Sequence, residues 1–230
     1  MMEVALLDGD VFIYRAAWAT NKEDEATAIR TFDNIVAEAV LLSGCKDYKL
    51  YITGKGNFRN DYAKTAPYKG NRKAVDPPIH KNALRAHALK AWEAILTVDE
   101  EADDAIAIEA TKLGLLECVM VTIDKDFLQI PGHHYNPVKK TFTMMDYWSS
   151  TLFFYTQILT GDAVDNIIGL KGIGPVKGAK LLEGCESEME LYEACVAAYD
   201  GNEDRVIENA RLLWLRREDG QIWQPPKEDR

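Results

Sequence analysis

The stretch Val4-Ala5-Leu6-Leu7-Asp8-Gly9-Asp10 decides the fold of this chain. Its apolar residues form a short run that is typical of a strand buried on both faces of a parallel sheet. Two carboxylates, Asp8 and Asp10, follow the last apolar residue directly. Ligands of open parallel sheets bind at the carboxyl ends of the strands. We therefore expect Asp8 and Asp10 to lie in a functional site.

Further apolar runs and helical patterns extend this arrangement along the chain. The runs Leu50 to Thr53 and Val119 to Ile123 predict two more buried strands. Between the strands, Ala28 to Leu42 and Ala102 to Leu113 carry apolar residues at the i, i+3, i+4 spacing of a helix with one buried face. Strands that alternate with helices predict an α/β fold whose parallel sheet is covered on both faces.

Acidic residues cluster at four places, each at the end of a predicted strand or in the first turn of a predicted helix. The nine carboxylates belong to Asp8, Asp10, Glu101, Asp103, Asp104, Asp124, Asp126, Asp162 and Asp165. Carboxylates that the fold brings together repel one another unless cations neutralise them. Mg²⁺ and Mn²⁺ prefer such oxygens, and two ions about 4 Å apart clamp the attacking and leaving oxygens of a phosphodiester. The clusters thus predict a nuclease with two or more Mg²⁺ or Mn²⁺ ions.

The composition agrees with this prediction once the clusters are set apart. The chain has 230 residues, 47% of them hydrophobic, enough for one main domain with an appendage. A net charge of -10 argues against a nucleic-acid partner, because phosphate contacts need Lys and Arg. The clustered carboxylates account for nine of those ten charges, so bound metals would leave the remaining surface close to balanced.

The cysteines and the N-terminal sequence indicate the cellular compartment in which the protein is expected. The four cysteines show no CxxC spacing and no pairing with His, a pattern that favours reduced thiols in the cytoplasm. Met1 to Val4 contains no basic segment ahead of an apolar core, and no apolar run approaches the roughly 20 residues that a spanning helix needs. We expect neither secretion nor membrane insertion.

The segment between Asn57 and Lys90 is positively charged, although the chain as a whole is negatively charged. Basic residues there outnumber acidic ones, of which only Asp61 and Asp76 are present. A break at Asp76-Pro77-Pro78 predicts a loop that enters a helix from Ile79 to Leu96. A positive segment beside an acidic metal site suits a phosphate-rich substrate, although a solvated helix face would show the same bias. The expected DNA contacts here are Arg59, Lys73, Lys81 and Arg85.

A glycine-rich segment from Gly169 to Lys180 is the second signal for DNA. Glycines permit close backbone approach, and Pro175 is well placed as the first residue of a new helix, whose free N–H groups favour an anion. The pattern predicts a helix-hairpin-helix grip on the DNA backbone without base reading, whereas a glycine pair alone is usually only a turn. The expected contacts are Gly172, Gly174, Lys177 and Lys180.

These signals divide the chain into parts. After Trp148 the strand patterns stop, and helical patterns dominate through Leu215. The closing segment is polar and contains Pro225-Pro226, so we expect a frayed tail in which Trp223 docks on the body or on a partner. The predicted parts are a nuclease domain at 1–150 with an inserted segment at about 57–96, a helical DNA-binding region at 151–215 and a polar tail at 216–230.

Several motifs occur together in the order found in a known protein family. They are Asp8-Gly9-Asp10, Asn57-Phe58-Arg59, Tyr68-Lys69-Gly70-Asn71-Arg72, Glu101-Ala102-Asp103-Asp104, Asp124-Lys125-Asp126-Phe127-Leu128-Gln129, and Gly161-Asp162 with Gly172-Ile173-Gly174. Over roughly residues 4–185 the chain resembles the structure-specific 5′ nucleases, also called flap endonucleases. It looks most like the stand-alone bacteriophage 5′-to-3′ exonucleases.

The resemblance implies a resolvase-like or PIN-like parallel sheet, a helical arch over the active site, and a C-terminal helix-three-turn-helix that binds duplex DNA with the help of K⁺. It implies a monomer that cleaves DNA near 5′ flaps, nicks and free 5′ ends, and RNA in RNA–DNA hybrids. Carried over by position, the ligands that hold metals directly or through water are Asp8, Glu101, Asp103, Asp104, Asp124, Asp126, Asp162 and Asp165. Lys69 and Arg72 would stabilise charge on the scissile phosphate, and Tyr68 would stack on the terminal base.

One position departs from the family pattern. Many relatives end their second strand with Phe-Asp-Gly, where this chain has Ile52-Thr53-Gly54. Thr53 offers only a neutral oxygen, and Asp10 is expected to compensate because it lies two residues after Asp8. The alternative is a DNA-junction binding protein that has lost catalysis, but unused buried carboxylates would only lower stability. A small toxin-like ribonuclease is disfavoured by the glycine hairpin.

Overall fold

A computed structural model of the chain describes residues 2–72 and 76–227. Its main sheet is built from β1 (Val4–Asp8), β2 (Asp47–Lys55), β3 (Ile95–Val98), β4 (Cys118–Val121), β5 (Gly132–Asn136) and β6 (Thr141–Met145). The strand order is β3-β2-β1-β4-β5-β6. All neighbours pair in parallel except β5 and β6, which form an antiparallel hairpin at one edge. The expected α/β fold with a largely parallel sheet is confirmed.

Helices alternate with these strands in the first part of the chain and follow one another in the second. In the described ranges they are α1 (Gly9–Ala19), α2 (Glu25–Ser43), α3 (Lys81–Ala91), α4 (Ala102–Leu113), α5 (Tyr147–Thr160), α6 (Pro175–Leu181), α7 (Glu188–Ala198) and α8 (Glu203–Leu213). Short 3₁₀-helices occur at Phe58–Asp61 and Lys125–Gln129. None of the described helices is both long and apolar enough to cross a membrane.

Successive residues of the central strand bury opposite faces of the sheet. Ala5 and Leu7 of β1 pack in a cluster with residues of α1, α2 and α3, whereas Leu6 packs with residues of α4 and with Leu215, which follows α8. The three β1 side chains are fully buried. A strand covered on both faces reads as a continuous apolar run rather than an alternating one, which explains the signal in the sequence.

A separate buried cluster joins the C-terminal helices, with Phe154 of α5 and Leu191 of α7 at its centre. Trp223, beyond α8, packs into it with its ring centroid 6.1 Å from that of Phe154 and 6.0 Å from that of Tyr192. The expectation of a frayed tail is therefore wrong for residues 216–227. Burial of Trp223, which is 5% exposed, ties this segment to the body of the protein.

The structure bears on three expectations about local structure. The helix predicted from Ile79 to Leu96 is shorter, since β3 begins at Ile95. The described residues of 57–96, expected to form a helical arch, contain one α-helix, α3, which packs on α1 and α2 through Leu84 and Ala88 and follows a 3₁₀-helix and turns. A small antiparallel ladder of β7 (Gly161–Asp162) and β8 (Ile167–Ile168) interrupts the C-terminal helices.

Candidate active site

Two neighbouring strands bring the first carboxylates together. Asp8 is the last residue of β1 and caps α1, accepting the backbone N–H of Val11 at 3.4 Å. Asp124 follows β4, which pairs with β1, and caps the 3₁₀-helix behind it. Thr122 donates its hydroxyl to the other oxygen of Asp8 at 2.9 Å. Parallel pairing of β1 and β4 therefore places two acidic caps at the same carboxyl edge of the sheet.

The first turn of α4 adds a third carboxylate, that of Asp103. Burial, Asp8 and Asp124 together raise the pKa of Asp103 well above its usual range. Burial and the charge of Asp10 raise the pKa of Asp8 to about 7. In the described ranges, no Lys, Arg or His nitrogen lies within 4.0 Å of the Asp8, Asp103 or Asp124 carboxylates. Such a repelling, unneutralised group of oxygens suits a hard divalent cation.

A second acidic group surrounds Lys125. Its Nζ lies 2.9 Å from Asp162 Oδ2 and 3.9 Å from Asp126 Oδ1. Asp126 also accepts a hydrogen bond from the Gln157 amide of α5 at 2.7 Å. Burial and the charge of Asp124 raise the pKa of Asp126 to about 7. Burial opposes ionisation of Asp162, but the hydrogen bond and charge of Lys125, together with the backbone N–H groups of Val164 and Asp165, hold the pKa of Asp162 below its usual range.

The three predicted catalytic residues meet the two remaining carboxylates. Lys69 is ion-paired with Glu101, and its Nζ is 3.6 Å from Asp165 Oδ2. Arg72 donates to Asp165 Oδ1 at 2.8 Å. The Tyr68 hydroxyl lies between both carboxylates, 2.8 Å from Glu101 and 2.9 Å from Asp165. A phosphate entering the site would therefore compete with Glu101 and Asp165 for Lys69 and Arg72.

These side chains line two adjoining cavities of about 140 and 600 Å³, which together form the acidic cleft. The residues that border both are Lys69, Arg72, Glu101, Asp103 and Asp124. In the described part of the chain, no three His, Cys, Asp or Glu side chains converge closely enough to enclose an ion by themselves. Mg²⁺ keeps several waters and takes only one or two carboxylates, so acidic residues around an open cleft suit it better than a closed cage.

Thr53, which departs from the resembled pattern, holds Asp10 in place. Its backbone N–H donates to Asp10 Oδ2 at 2.9 Å, and its hydroxyl accepts the N–H of Ala102 at the start of α4 at 3.0 Å. Arg85 of α3 donates to the Thr53 carbonyl at 2.8 Å and to Asp10 Oδ1 at 3.3 Å. Asp10 lines the larger cavity together with Asp8, and a quarter of its side chain is exposed.

Two predicted site residues pair with each other in the interior. Arg59, expected to contact DNA, is 2% exposed, and Asp104, expected among the metal ligands, is fully buried. The two terminal nitrogens of Arg59 donate to the two oxygens of Asp104 at 2.6 and 2.9 Å. Arg59 also donates to the carbonyls of Leu212 and Trp214, each at 2.8 Å. A guanidinium and a carboxylate buried this deeply must pair with each other. In the described structure Asp104 does not line the acidic cleft, whereas Arg59 borders its smaller cavity and lies 3.6 Å from Glu101.

The other predicted DNA contacts of the basic segment lie at the cleft or outside the described residues. Lys81 and Arg85 line the larger cavity. Lys81 Nζ lies 2.5 Å from the Tyr14 hydroxyl of α1, which borders the same cavity. Lys73 falls in the range 73–75, outside the part of the chain that the structure describes.

The glycine-rich segment forms a hairpin between α5 and α6. The turn places Gly172 at a φ of 77°, which favours glycine, and Pro175 begins α6 as predicted. The two helices pack closely at Gly178, where an added Cβ would come within 3.2 Å of Thr156. The residues expected to contact DNA are all exposed, namely Gly172, Gly174, Lys177 and Lys180.

Three residues of the site were not predicted from the sequence. Lys125 stands inside an acidic motif, and its opposite charge there was a usable signal. Thr122 and Gln157 had none, because a hydroxyl and an amide are common in strands and helices without any role in a site. Their contacts with Asp8 and Asp126 appear only once the strands and α5 are assembled.

The fold and the site together define a nuclease: an α/β sheet with an acidic cleft at its carboxyl edge and basic side chains beside the acidic ones. Residues 3–154 match the family described as 5′-3′ exonuclease, N-terminal resolvase-like domain. The chain therefore belongs to this 5′-3′ exonuclease family, and it is a phosphodiesterase.

Individual relatives support the assignment. Flap endonuclease Xni of Shewanella halifaxensis is 31% identical over 207 residues, which cover 84% of this chain and 82% of that protein. DNA polymerase I of Deinococcus radiodurans is 26% identical over 228 residues, covering 90% of this chain but 24% of the polymerase. The chain thus spans about a quarter of the length of that polymerase.

Solved structures share the fold. The 5′-exonuclease of bacteriophage T5 with bound zinc superposes with a TM-score of 0.71 at 17% identity, over 92% of this chain and 89% of that one. The T5 flap endonuclease in a pseudo-enzyme-product complex with DNA and metal ions gives a TM-score of 0.70 at 16% identity, over 92% and 88% of the two chains. These likenesses confirm the resolvase-like fold.

Proposed function

We propose that the protein hydrolyses phosphodiesters near the 5′ ends of DNA, at flaps, nicks and free ends, with a pair of Mg²⁺ or Mn²⁺ ions. The observation that carries this proposal is the meeting of Asp8, Asp103 and Asp124 at a cleft bordered by Lys69 and Arg72. Relatives add support, because one is named a flap endonuclease and another structure contains DNA and metal ions.

The carboxylates differ in how far the protein itself neutralises them. No basic nitrogen of the described ranges lies within 4.0 Å of the Asp8, Asp103 or Asp124 carboxylates, which are the first candidates to hold an ion. The carboxylates already balanced by a basic residue are Asp10, Glu101, Asp126, Asp162 and Asp165. They would hold a second ion directly or through water. When bound, two such ions supply an activated water and charge for the leaving 3′ oxygen.

Lys69 and Arg72 contribute fixed positive charge at the place where the reacting phosphate gains negative charge. Their partners within the protein are Glu101 and Asp165. A phosphate that takes over Lys69 and Arg72 frees these two carboxylates for metal. The Tyr68 hydroxyl contacts the Glu101 and Asp165 carboxylates, and the Tyr68 ring is the candidate to stack on the terminal base.

The hairpin between α5 and α6 binds the duplex part of the substrate. Support comes from the exposed backbone at Gly172 and Gly174 and from the exposed Lys177 and Lys180, which suit phosphate contacts without base reading. We assign DNA binding to residues 151–215 and K⁺ to the hairpin, the latter on the family resemblance. The RNA strand of RNA–DNA hybrids is a further substrate. The protein acts as a monomer in the cytoplasm, a compartment that suits the free thiols of all four cysteines.

A 5′-labelled flap substrate tests the proposal. With Mg²⁺ the protein is expected to release short 5′ oligonucleotides, and EDTA should stop the reaction. Asp124→Asn should slow cleavage at least about 100-fold, whereas Asp47→Asn, at the amino end of β2 on the opposite edge of the sheet, should cleave normally. Binding of the flap without cleavage in Mg²⁺ and in Mn²⁺ would identify a DNA-junction binding protein instead.

A further inference from the structure

A third cavity, of about 310 Å³, lies apart from the acidic cleft. It is enclosed by the start of α5, by residues 129–131 and by the segment that follows α8. No residue of the described ranges lines both this cavity and the acidic cleft. Its size is at the lower end of small-molecule sites, which span about 300 to 1,000 Å³. We call it the α5 cavity.

Arg217 brings an unpaired positive charge to the α5 cavity. Its guanidinium donates to the carbonyls of Leu215 and Gln129, the latter at 2.8 Å, and its Cζ lies 4.2 Å from the Trp214 ring centroid. Across residues 2–72 and 76–227, no carboxylate oxygen lies within 4.0 Å of it. Burial lowers the pKa of Arg217 to about 9. A shielded cation without a counter-ion is unfavourable, so this position suits an anionic ligand.

Two neutral donors of the α5 cavity also lack a partner. Ser150 is 1% exposed, and within the described structure its hydroxyl makes no hydrogen bond. The indole N–H of Trp214 is buried and unpaired in the same way. Buried polar groups in native proteins are almost always hydrogen-bonded. One charged and two neutral donors therefore border a single small cavity.

The rest of the lining favours a ligand larger than a bare ion. Glu188 borders the cavity and accepts a hydrogen bond from the Tyr155 hydroxyl at 3.1 Å. Its carboxylate would repel a simple anion but would accept from an amino or hydroxyl group attached to one. Phe154 and Tyr147 supply aromatic surface.

We infer that the α5 cavity binds a nucleoside monophosphate, with its phosphate oxygens accepting from Arg217, Ser150 and the Trp214 indole. A tetrahedral phosphate presents several acceptor oxygens to donors from different directions, and guanidinium groups recognise it well. The nucleoside provides the donor groups that suit Glu188 and the flat ring that suits the aromatic lining.

The test follows the indole N–H signals of ¹⁵N-labelled protein by NMR while dAMP, inorganic phosphate or acetate is added in EDTA. Without metal, the carboxylates of the acidic cleft repel anions, so binding there is suppressed. Trp214→Phe identifies the Trp214 signal. We expect this signal to move saturably, at lower concentration for dAMP than for phosphate, whereas the signal of Trp18 on α1, which is 50% exposed, should stay in place.

Variants separate the site from a change in folding. Ser150→Ala removes a donor without breaking a hydrogen bond of the protein, so the fold should be intact and the affinity for dAMP about tenfold weaker. Arg217→Gln should weaken binding about 100-fold or more. Ser149→Ala, next to Ser150 but outside the cavity lining, should bind like the parent.

The inference is overturned if the Trp214 signal does not respond to dAMP, or if Ser150→Ala binds dAMP as tightly as the parent. An equal response to acetate would also overturn it, because the site would then lack selectivity for phosphate. Should Arg217→Gln fail to fold, the Ser150→Ala measurement decides alone.

Discussion

The backbone N–H of Thr53 donates to the carboxylate of Asp10 at 2.9 Å. A neutral residue on β2 thus holds a carboxylate from α1 beside Asp8, and Arg85 fixes the second oxygen of Asp10 at 3.3 Å. The negative charge that the resembled family carries on its second strand is available here from the first helix. Asp10 therefore lies where it can replace the missing aspartate.

Replacing Asp10 with Ala is expected to lower the cleavage rate about as severely as Asp8→Ala, on the order of 10- to 100-fold or more. The reason is that both carboxylates border the same cavity, where they are expected to act on the same ions. Cleavage rate against Mg²⁺ concentration is the measurement. Asp10→Asn, which keeps an oxygen for the Thr53 N–H, separates loss of charge from loss of the hydrogen bond.

Thr53→Asp provides a complementary test. A carboxylate restored on β2 should recover part of the Asp10→Ala defect while changing the parent enzyme little, because the two positions adjoin. Near-normal cleavage by Asp10→Ala alone would contradict compensation, and the site would then work with one carboxylate fewer than its relatives.

The ion pair of Arg59 and Asp104 is expected to dominate the response of stability to mutation. Removing either partner leaves the other charge buried without compensation, which should lower the free energy of unfolding by about 3 to 5 kcal/mol. Urea unfolding of Arg59→Ala and Asp104→Ala measures this. Losing Glu38 from its exposed pair with Lys140 should change stability by less than about 1 kcal/mol.

A double variant distinguishes a structural pair from a catalytic one. Arg59→Met with Asp104→Leu removes both charges and should regain part of the stability lost by the single variants, since no charge is left unpaired although the carbonyls of Leu212 and Trp214 still lose a donor. If Asp104→Asn were as stable as the parent yet inactive, Asp104 would act on metal after all, and its structural assignment would be wrong.

The raised pKa values predict that the metal-free protein loses stability as pH rises. Asp8 and Asp126 each titrate at about 7 in the folded protein against a usual value of 3.8. Between these values the folded state binds more protons than the unfolded chain, so the free energy of unfolding falls with increasing pH. The added stability is complete below the usual value and lost above about 7. We expect Tm in EDTA to fall by on the order of 5 °C between about pH 5 and about pH 8.

Divalent cations should reduce the change of Tm with pH, because a bound ion takes the place of the protons on the carboxylates and the affinity for that ion rises with pH. Asp8→Asn should also reduce the change of Tm, since the amide does not titrate, whereas Asp47→Asn should leave it unchanged. A Tm that rises between pH 5 and pH 8 in EDTA would show that Asp8 and Asp126 do not have raised pKa values in the folded protein.

The hairpin provides a clean test of duplex binding. An added Cβ at Gly174 meets no atom within 4 Å, so Gly174→Val should fold normally. It should weaken binding to duplex-containing substrates about tenfold, because the branched side chain keeps the backbone from the phosphate. Lys177→Ala should reduce the slope of log affinity against log salt by about 1, as expected for one lost phosphate contact.

Lys46, just ahead of β2 at the amino edge of the sheet, provides the matched control. Lys46→Ala should leave both the affinity and the salt slope unchanged. If Gly174→Val and Lys177→Ala bind duplex like the parent at the same salt, the duplex lies on another surface of the protein.

The central strands and α4 were predictable because their signals are local. The apolar runs behind β1, β2 and β4 mark strands buried on both faces, and the predicted helix Ala102 to Leu113 has the bounds that the structure shows. The edge strand β3 gave no such signal, since only Thr97 among its residues is buried. In β6 the residues are mostly exposed, so no apolar pattern marks them.

The acidic clusters were also predictable because their signal is local in the sequence. The role of each carboxylate became clear only from the assembled fold. Each carboxylate was visible beside a strand end or a helix start. Nothing local distinguishes Asp103, which borders the acidic cleft, from Asp104, which is fully buried under Arg59. The α4 helix turns one carboxylate toward the cleft and the next toward the interior, and the structure alone shows which is which.

The sequence by itself determined the central strands, the order of the acidic caps and the glycine hairpin, because these depend on residues adjacent in the chain. Only the tertiary structure decided the pairing of Arg59 with Asp104, the support of Asp10 by Thr53 and the docking of Trp223. The first two contacts join residues 45 and 43 positions apart. Partners at such separations are set by how strands and helices pack, and a pattern in the chain does not record which distant group will satisfy a buried charge.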